Sequence, residues 1–261
     1  MKTVKISALA LAMMGVFATS ANAQSAKANA WEGAYGQVSV GYGMFTPSVG
    51  TGTATGPLPE PLPAYGYGST ATVSTSAASA NNVNTATAAL AAGYNFGINS
   101  NYVVGVGVSY YPGASSGATG VLATGSTTLT SSRAGVPPYQ VAANNNAGTL
   151  SYNIKNLYSI TINPGYVIDK DRLAYAKIGY TGATIGLSGA GIPYNSVNLT
   201  GYTLGLGYKQ MITESLYMLG EVNYASYGSK TASATASDGT VLNQPVKGTG
   251  TDFLVGIGYR F

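Results

Sequence analysis

The chain has no cysteine and no histidine, and only 8% of its 261 residues are charged. Without cysteine there is no disulfide framework, so the fold has to be held by its backbone ladder. Without histidine there is no Ser-His-Asp or Cys-His constellation and no histidine-based metal site. The carboxylates Asp169 and Asp171 sit in one short charged turn, where solvation accounts for them. An ordinary soluble domain carries about 25% charge, so this surface is not built mainly for water. After residue 30 no apolar run approaches about 20 residues, which excludes a spanning helix. What the chain has instead is small residues and tyrosine. Glycine alone supplies 36 positions, about twice the usual share of ~7%. These glycines fall inside alternating segments, which favours a β-barrel over a low-complexity secreted chain.

Residues 1–23 read as a processing signal. Lys2 and Lys5 form a basic start, Ile6 to Ala18 an apolar core, and Ala21-Asn22-Ala23 a small-x-small site with cleavage before Gln24. A short segment, 24–30, then precedes a barrel domain over 31–261. Taking Lys2 and Lys5 from 12 basic residues leaves 10 against 8 acidic ones, a net charge of +2. That balance gives no argument for nucleic acid as a partner.

Alternation marks strands at 31–45, 85–98, 102–110, 150–168, 172–187, 196–208, 215–227 and 251–261. The last reads TDFLVGIGYRF: Phe253, Val255, Ile257, Tyr259 and Phe261 share one face, and Asp252, Leu254, Gly256, Gly258 and Arg260 the other. Successive side chains of a strand point to opposite faces, so one face here is apolar and the other small or charged. Segments 46–84 and 111–149 lack such a pattern. The first carries Pro57, Pro59, Pro61 and Pro63, which remove ladder donors, and both read as long polar loops. A third long loop is expected at 228–248 and a shorter one at Gly189 to Asn195. Long connections thus alternate with turns of a few residues, the rhythm of an outer-membrane barrel with extracellular loops and periplasmic turns. The expected fold is all-β, an eight-stranded antiparallel up-and-down transmembrane barrel. A count of ten stays open if Val121 to Thr130 joins a hairpin above the membrane. A soluble lipocalin-like barrel predicts an apolar interior, against which stand Gln37, Asn95, Lys177 and Glu221.

Trp31 through Gly43, Pro164-Gly165-Tyr166, Ala174 to Tyr180, Leu216 to Tyr224 and Gly256 to Phe261 resemble the small outer-membrane barrel superfamily of OmpA-, OmpX- and opacity-protein-type domains. The resemblance covers nearly all of residues 31–261 except the long loops. It implies an outer-membrane location and admits adhesins, structural anchors, narrow channels and a few enzymes. Its lipases, acyltransferases and omptin-type proteases resemble histidine-dependent designs, so no enzyme and no cofactor is expected here.

Lys177, Lys209, Glu221, Asp252 and Arg260 fall on the face opposite the lipid stripe. Buried charges must pair, so a salt-bridged polar plug is expected, with Lys177 or Arg260 against Glu221. The repeated G-x-G pairs, such as Gly105/Gly107 and Gly205/Gly207, read as lumen-facing relief of crowding rather than phosphate loops. The stripe ending in Phe261 resembles the signal read by the outer-membrane assembly machinery. Lipid is then one partner, and loops 46–84 and 111–149 offer surface for an extracellular one. The expected role is structural or surface-interacting (adhesion or shielding); the alternative is a narrow porin-like channel for small solutes.

Overall fold

The computed structural model describes residues 29–112, 117–189 and 191–261. The expected signal, with Ala21, Ala23 and Gln24 at its cleavage site, lies outside them. Thirteen strands run in chain order: β1 (Gly33–Val49), β2 (Gly52–Pro57), β3 (Thr70–Ala80), β4 (Val83–Gly97), β5 (Tyr102–Tyr111), β6 (Gly117–Thr124), β7 (Thr127–Leu129), β8 (Tyr139–Val141), β9 (Asn144–Asp169), β10 (Arg172–Gly189), β11 (Ile192–Met211), β12 (Leu216–Thr235) and β13 (Val241–Arg260).

Eight of them close a ring in the order β1-β4-β5-β9-β10-β11-β12-β13, with β13 returning to β1. The closing ladder runs antiparallel from Tyr35↔Arg260 to Val49↔Val246. At membrane level closure leaves no edge unpaired, which is what allows strands to cross a bilayer. Outward-facing side chains form the apolar band that the alternation predicts. Val40, Ile160, Leu206 and Val255 are each more than half exposed in it. Tyrosines sit toward both margins: Tyr158, Tyr180, Tyr202 and Tyr224 at one, Tyr102, Tyr166, Tyr208 and Tyr259 at the other. From Tyr158 to Tyr166, at about 3.3 Å per residue, the strand covers about 26 Å, which at a tilt of ~40° is about 20 Å along the barrel axis, within the ~25 Å apolar height of such barrels.

The strands do not stop at that band. The regions expected as long loops are largely β-structure. Above Val49, β13 continues its ladder onto β2 at Thr53 to Thr55. β2 pairs with β3, β3 with β6, and β6 with β9 from Gly117↔Asn153 to Thr124↔Asn144. Thus β1 with β2, β4 with β3, and β5 with β6 act as three long composite strands. The eight-stranded wall rises well past the membrane as a tower. The turn expected at Gly189 to Asn195 shrinks to the tip between β10 and β11, and the 228–248 loop to residues 236–240. The proline run does make a connection, with one 3-10 turn at Pro63–Tyr65. The small hairpin β7–β8 lies over it, Tyr67 donating to the Pro137 carbonyl at 2.6 Å. In place of separate ninth and tenth barrel strands, residues 121–124 belong to the composite β5–β6 strand and 127–129 to this hairpin.

In the tower the polarity of the wall reverses. On β10 the inward face reads Tyr175, Lys177 and Thr181 low in the barrel, then Ala183 and Ile185 above, all buried. On β13 the inward Gln244, Val246 and Leu242 are buried, while Lys247 on the opposite face is exposed. Two strands make the change through bulges. One extra residue in β9 between Lys155 and Tyr158, with Asn156 at φ 51°, turns odd-inward numbering into even-inward numbering. The other lies in β12 between Tyr227 and Lys230. Ile154 and Ala232 thereby face inward, although Tyr158 and Tyr224 face out.

Candidate functional site: the barrel lumen

Inside the membrane-level barrel the side chains form three layers. At the short-turn end lies a plug of large apolar groups. Residues 29–32 fold under the rim: Asn29 Nδ2 donates to the carbonyls of Asn99 at 2.8 Å and Tyr102 at 3.2 Å, and its Oδ1 accepts from the Trp31 amide. Trp31 is 1% exposed and meets Tyr217 edge-on at 5.8 Å, with Val103, Val167, Leu173 and Leu219 around them.

Above this plug is the polar layer. Glu221 on β12 is its centre. Its Oε2 accepts from Lys177 Nζ at 2.9 Å and from Asn223 Nδ2 at 3.4 Å; its Oε1 accepts from Gln37 Nε2 at 3.2 Å and from the Tyr175 hydroxyl. Tyr217 in turn donates to Gln37 Oε1 at 3.1 Å. Four donors on one carboxylate offset the cost of taking it out of water, which an unpaired buried charge could not.

Lys209 is also buried here, with no carboxylate in salt-bridge reach among the described residues. Its ammonium lies over three tyrosine rings instead: Tyr35 at 4.0 Å, Tyr217 at 4.8 Å and Tyr175 at 5.1 Å from the centroids. Such cation–π contacts strengthen when the ammonium is desolvated. The glycines of the G-x-G pairs make room for these rings. A methyl on Gly107 would stand 2.6 Å from the Tyr35 hydroxyl, and one on Gly207 or Gly258 would enter the rings of Tyr175 or Tyr217.

Asp252 sits one step higher, accepting from Asn223 Nδ2 at 2.8 Å and from the Tyr111 hydroxyl at 3.4 Å. A cavity of about 80 Å³ lies above it, with the hydroxyls of Ser159, Thr181 and Thr203 in its lining. The third layer closes that cavity. Phe45 and Tyr227, 5.9 Å apart, pack there with Ile154, Ile185, Leu199 and Val246.

Four of the five expected lumen charges, Lys177, Lys209, Glu221 and Asp252, are therefore inside the barrel. Arg260 is not among them. It lies at the short-turn rim, where its Nη2 donates to the Glu214 carbonyl at 2.6 Å, so it has no part in neutralising Glu221. One residue from the chain end, its long side chain reaches past the wall to a backbone acceptor. Among the described residues Lys177–Glu221 is the ion pair inside the lumen, and Asp169–Arg172 at 2.5 Å is an exposed pair in a turn, the guanidinium holding the Asp169 carboxyl below its ordinary range. Phe253, Val255, Ile257, Tyr259 and Phe261 all face outward and are exposed. The Phe261 amide is tied to the Ala34 carbonyl at 2.9 Å. Sequence reasoning missed the tyrosine cage and the Trp31 plug. Tyr35, Tyr175 and Tyr217 occupy the lumen phase of their strands, which is the signal in the sequence that points to them.

The described residues contain no group of three or more acidic side chains that could hold a metal ion. No protein-family model and no curated protein matches the chain. Among solved structures it is similar to OprG of Pseudomonas aeruginosa, at 13% identity and a TM-score of 0.49, covering 90% of this chain and 99% of that one. It is similar to the protease OmpT of Escherichia coli, at 11% identity and a TM-score of 0.45 over 88% and 97% of the two chains. A third is Ail, the attachment invasion locus protein of Yersinia pestis, at 15% identity and a TM-score of 0.36 over 88% and 99%. All three scores fall below 0.5, and the barrel rests on its own closed ladder of eight strands.

Proposed function

We propose that the chain is a closed, non-catalytic outer-membrane barrel that carries a rigid β-tower at the cell surface, in a structural or surface-interaction role. The observation that supports this is the sealed lumen. A solute would have to displace the Trp31 plug, break the Glu221 network and part the Phe45–Tyr227 layer in turn. The absence of histidine supports a non-catalytic role. The tower turns a surface rich in Thr, Ser and Asn outward, suited to shielding or to contact with an uncharged partner.

Single-channel recording in planar bilayers tests the reading. Folded protein is expected to give no steady conductance; sizeable, stable openings would replace it with the narrow-channel alternative. The outward stripe from Phe253 to Phe261 is proposed as the address read by the assembly machinery. Deleting Phe261 should slow membrane assembly far more than Phe253→Leu does. Equal effects would reduce Phe261 to an interfacial aromatic.

A further inference from the structure

The glycines that clear space for the lumen rings, Gly107, Gly207 and Gly258, lie in the inward phase of their strands. Gly220 on β12 does not. It lies in the outward phase, between the exposed Met218 and Val222 of the apolar band. We propose that Gly220 floors a groove that holds one acyl chain of a glycerophospholipid as a specifically bound lipid. This rests on the membrane barrel and is independent of whether the lumen conducts.

Glycine weakens a strand interior, and where it stands there it often marks a bulge, a bend or the close approach of another molecule. Neither a bulge nor a strained turn is present at Gly220. Its ladders run residue for residue from Gly201↔Tyr227 to Met211↔Tyr217 on one side, and from Leu216↔Tyr259 to Tyr227↔Gly248 on the other. Its φ lies outside the left-handed region. Nor does it relieve crowding, because a methyl placed on it meets nothing within 4 Å beyond its chain neighbours. Among the described residues no other glycine faces outward between the tyrosine margins. Gly36 and Gly182 share that phase but lie at the margins, beside Phe261 and under the Tyr158 ring.

The missing side chain leaves a groove of about 810 Å³ in the outer wall. That is within the ~300–1,000 Å³ of small-molecule sites. Tyr208 on β11 and Val255 on β13 flank Gly220 in the ladder, two strand spacings or about 9.6 Å apart. Val38, Val40 and Ile257 extend the Val255 bank, and Met218 adjoins Gly220 on its own strand. The Tyr208 hydroxyl is already taken up, donating to Gln210 Oε1 at 2.8 Å. No charged residue lines the groove, so its contents are hydrocarbon rather than an ionic group. Membrane depth supplies that hydrocarbon directly. Tyr208 belongs to the short-turn margin, so the chain enters from the periplasmic leaflet.

Native mass spectrometry of the folded protein released from detergent micelles, with palmitoyl-oleoyl-phosphatidylglycerol added at rising concentration, tests the site. One lipid per chain is expected to bind and saturate before weaker adducts appear. Gly220→Leu fills the groove and should weaken that first site about 10-fold, the effect of about two methylenes losing contact. Ala176→Leu, at an outward position on β10, should leave it unchanged. Heat-modifiable gel migration checks that both variants fold; if Gly220→Leu does not, Gly220→Val makes the same test with less added volume. Adducts with no saturating first site would refute the proposal, as would a first site indifferent to the filling variant. A two-chain species that Gly220→Leu dissociates would give the groove to a second copy and overturn the lipid assignment.

Discussion

The lower and upper halves of this barrel use one wall in opposite ways. On β13, Val255 and Lys247 lie eight positions apart on the same outward face and are both exposed. One faces the apolar band and the other faces water. On the inward face the order reverses, from Asp252 with its Asn223 and Tyr111 bonds to Val246 and Leu242 among apolar neighbours. The backbone does not change along this path; the solvent does. Hydrogen-bonded polar groups fill the inside where lipid takes up the apolar face, and apolar groups fill it where water surrounds the wall.

The largest expected effect comes from upsetting the phase of the upper half. Deleting Gly228 and Ser229 together should turn Ala232 and Ala234 outward and abolish protease protection over 230–246, with the membrane band still heat-modifiable. Deleting Gly228 alone only removes the bulge, keeps Lys230 opposite Val246, and should be tolerated. If both deletions behave alike, the bulge is not what carries the alternation across the membrane boundary.

In the lower half, Glu221→Ala strands Lys177 without its carboxylate and should destabilise by about 3–5 kcal/mol in urea titrations of the reconstituted protein. Lys177→Met combined with Glu221→Leu should recover most of that, and a double-mutant cycle without coupling would remove the ion pair from the account. Exchanging the two outward residues of β13 separates the halves directly. Val255→Lys should cost about 2–4 kcal/mol, whereas Lys247→Val should stay within about 0.5 kcal/mol. The smallest effect is expected at the exposed Asp169–Arg172 turn, where Arg172→Ala should leave the unfolding midpoint unmoved.

The membrane half was legible because alternation there is strict and its chemistry one-sided: Ile160, Ile162, Leu204, Leu206, Val255 and Ile257 all sit where period two places them. The tower was not. Its outer face is Thr, Ser and Asn, its inner face is partly Ala and Gly, and so the contrast along each strand is weak. Its strands also change parity at bulges, among them those after Lys155 and after Tyr227, where a two-residue pattern breaks. Lys209 shows the same limit in the lumen. Its inward phase is readable, but the three aromatic rings that hold its ammonium come from three other strands, β1, β10 and β12.

The amino-acid pattern alone sets which membrane segments alternate and which face of each meets lipid. Those are local properties, set by a two-residue period and by the apolar character of one face. Tertiary structure decided everything that needs distant segments to meet. It joined β2, β3 and β6 into the upper wall, drew Trp31 under the barrel and caged Lys209. Strand pairing is non-local, and the energy of a wall built from small neutral residues lies in its ladder partners rather than in any stretch of its own sequence.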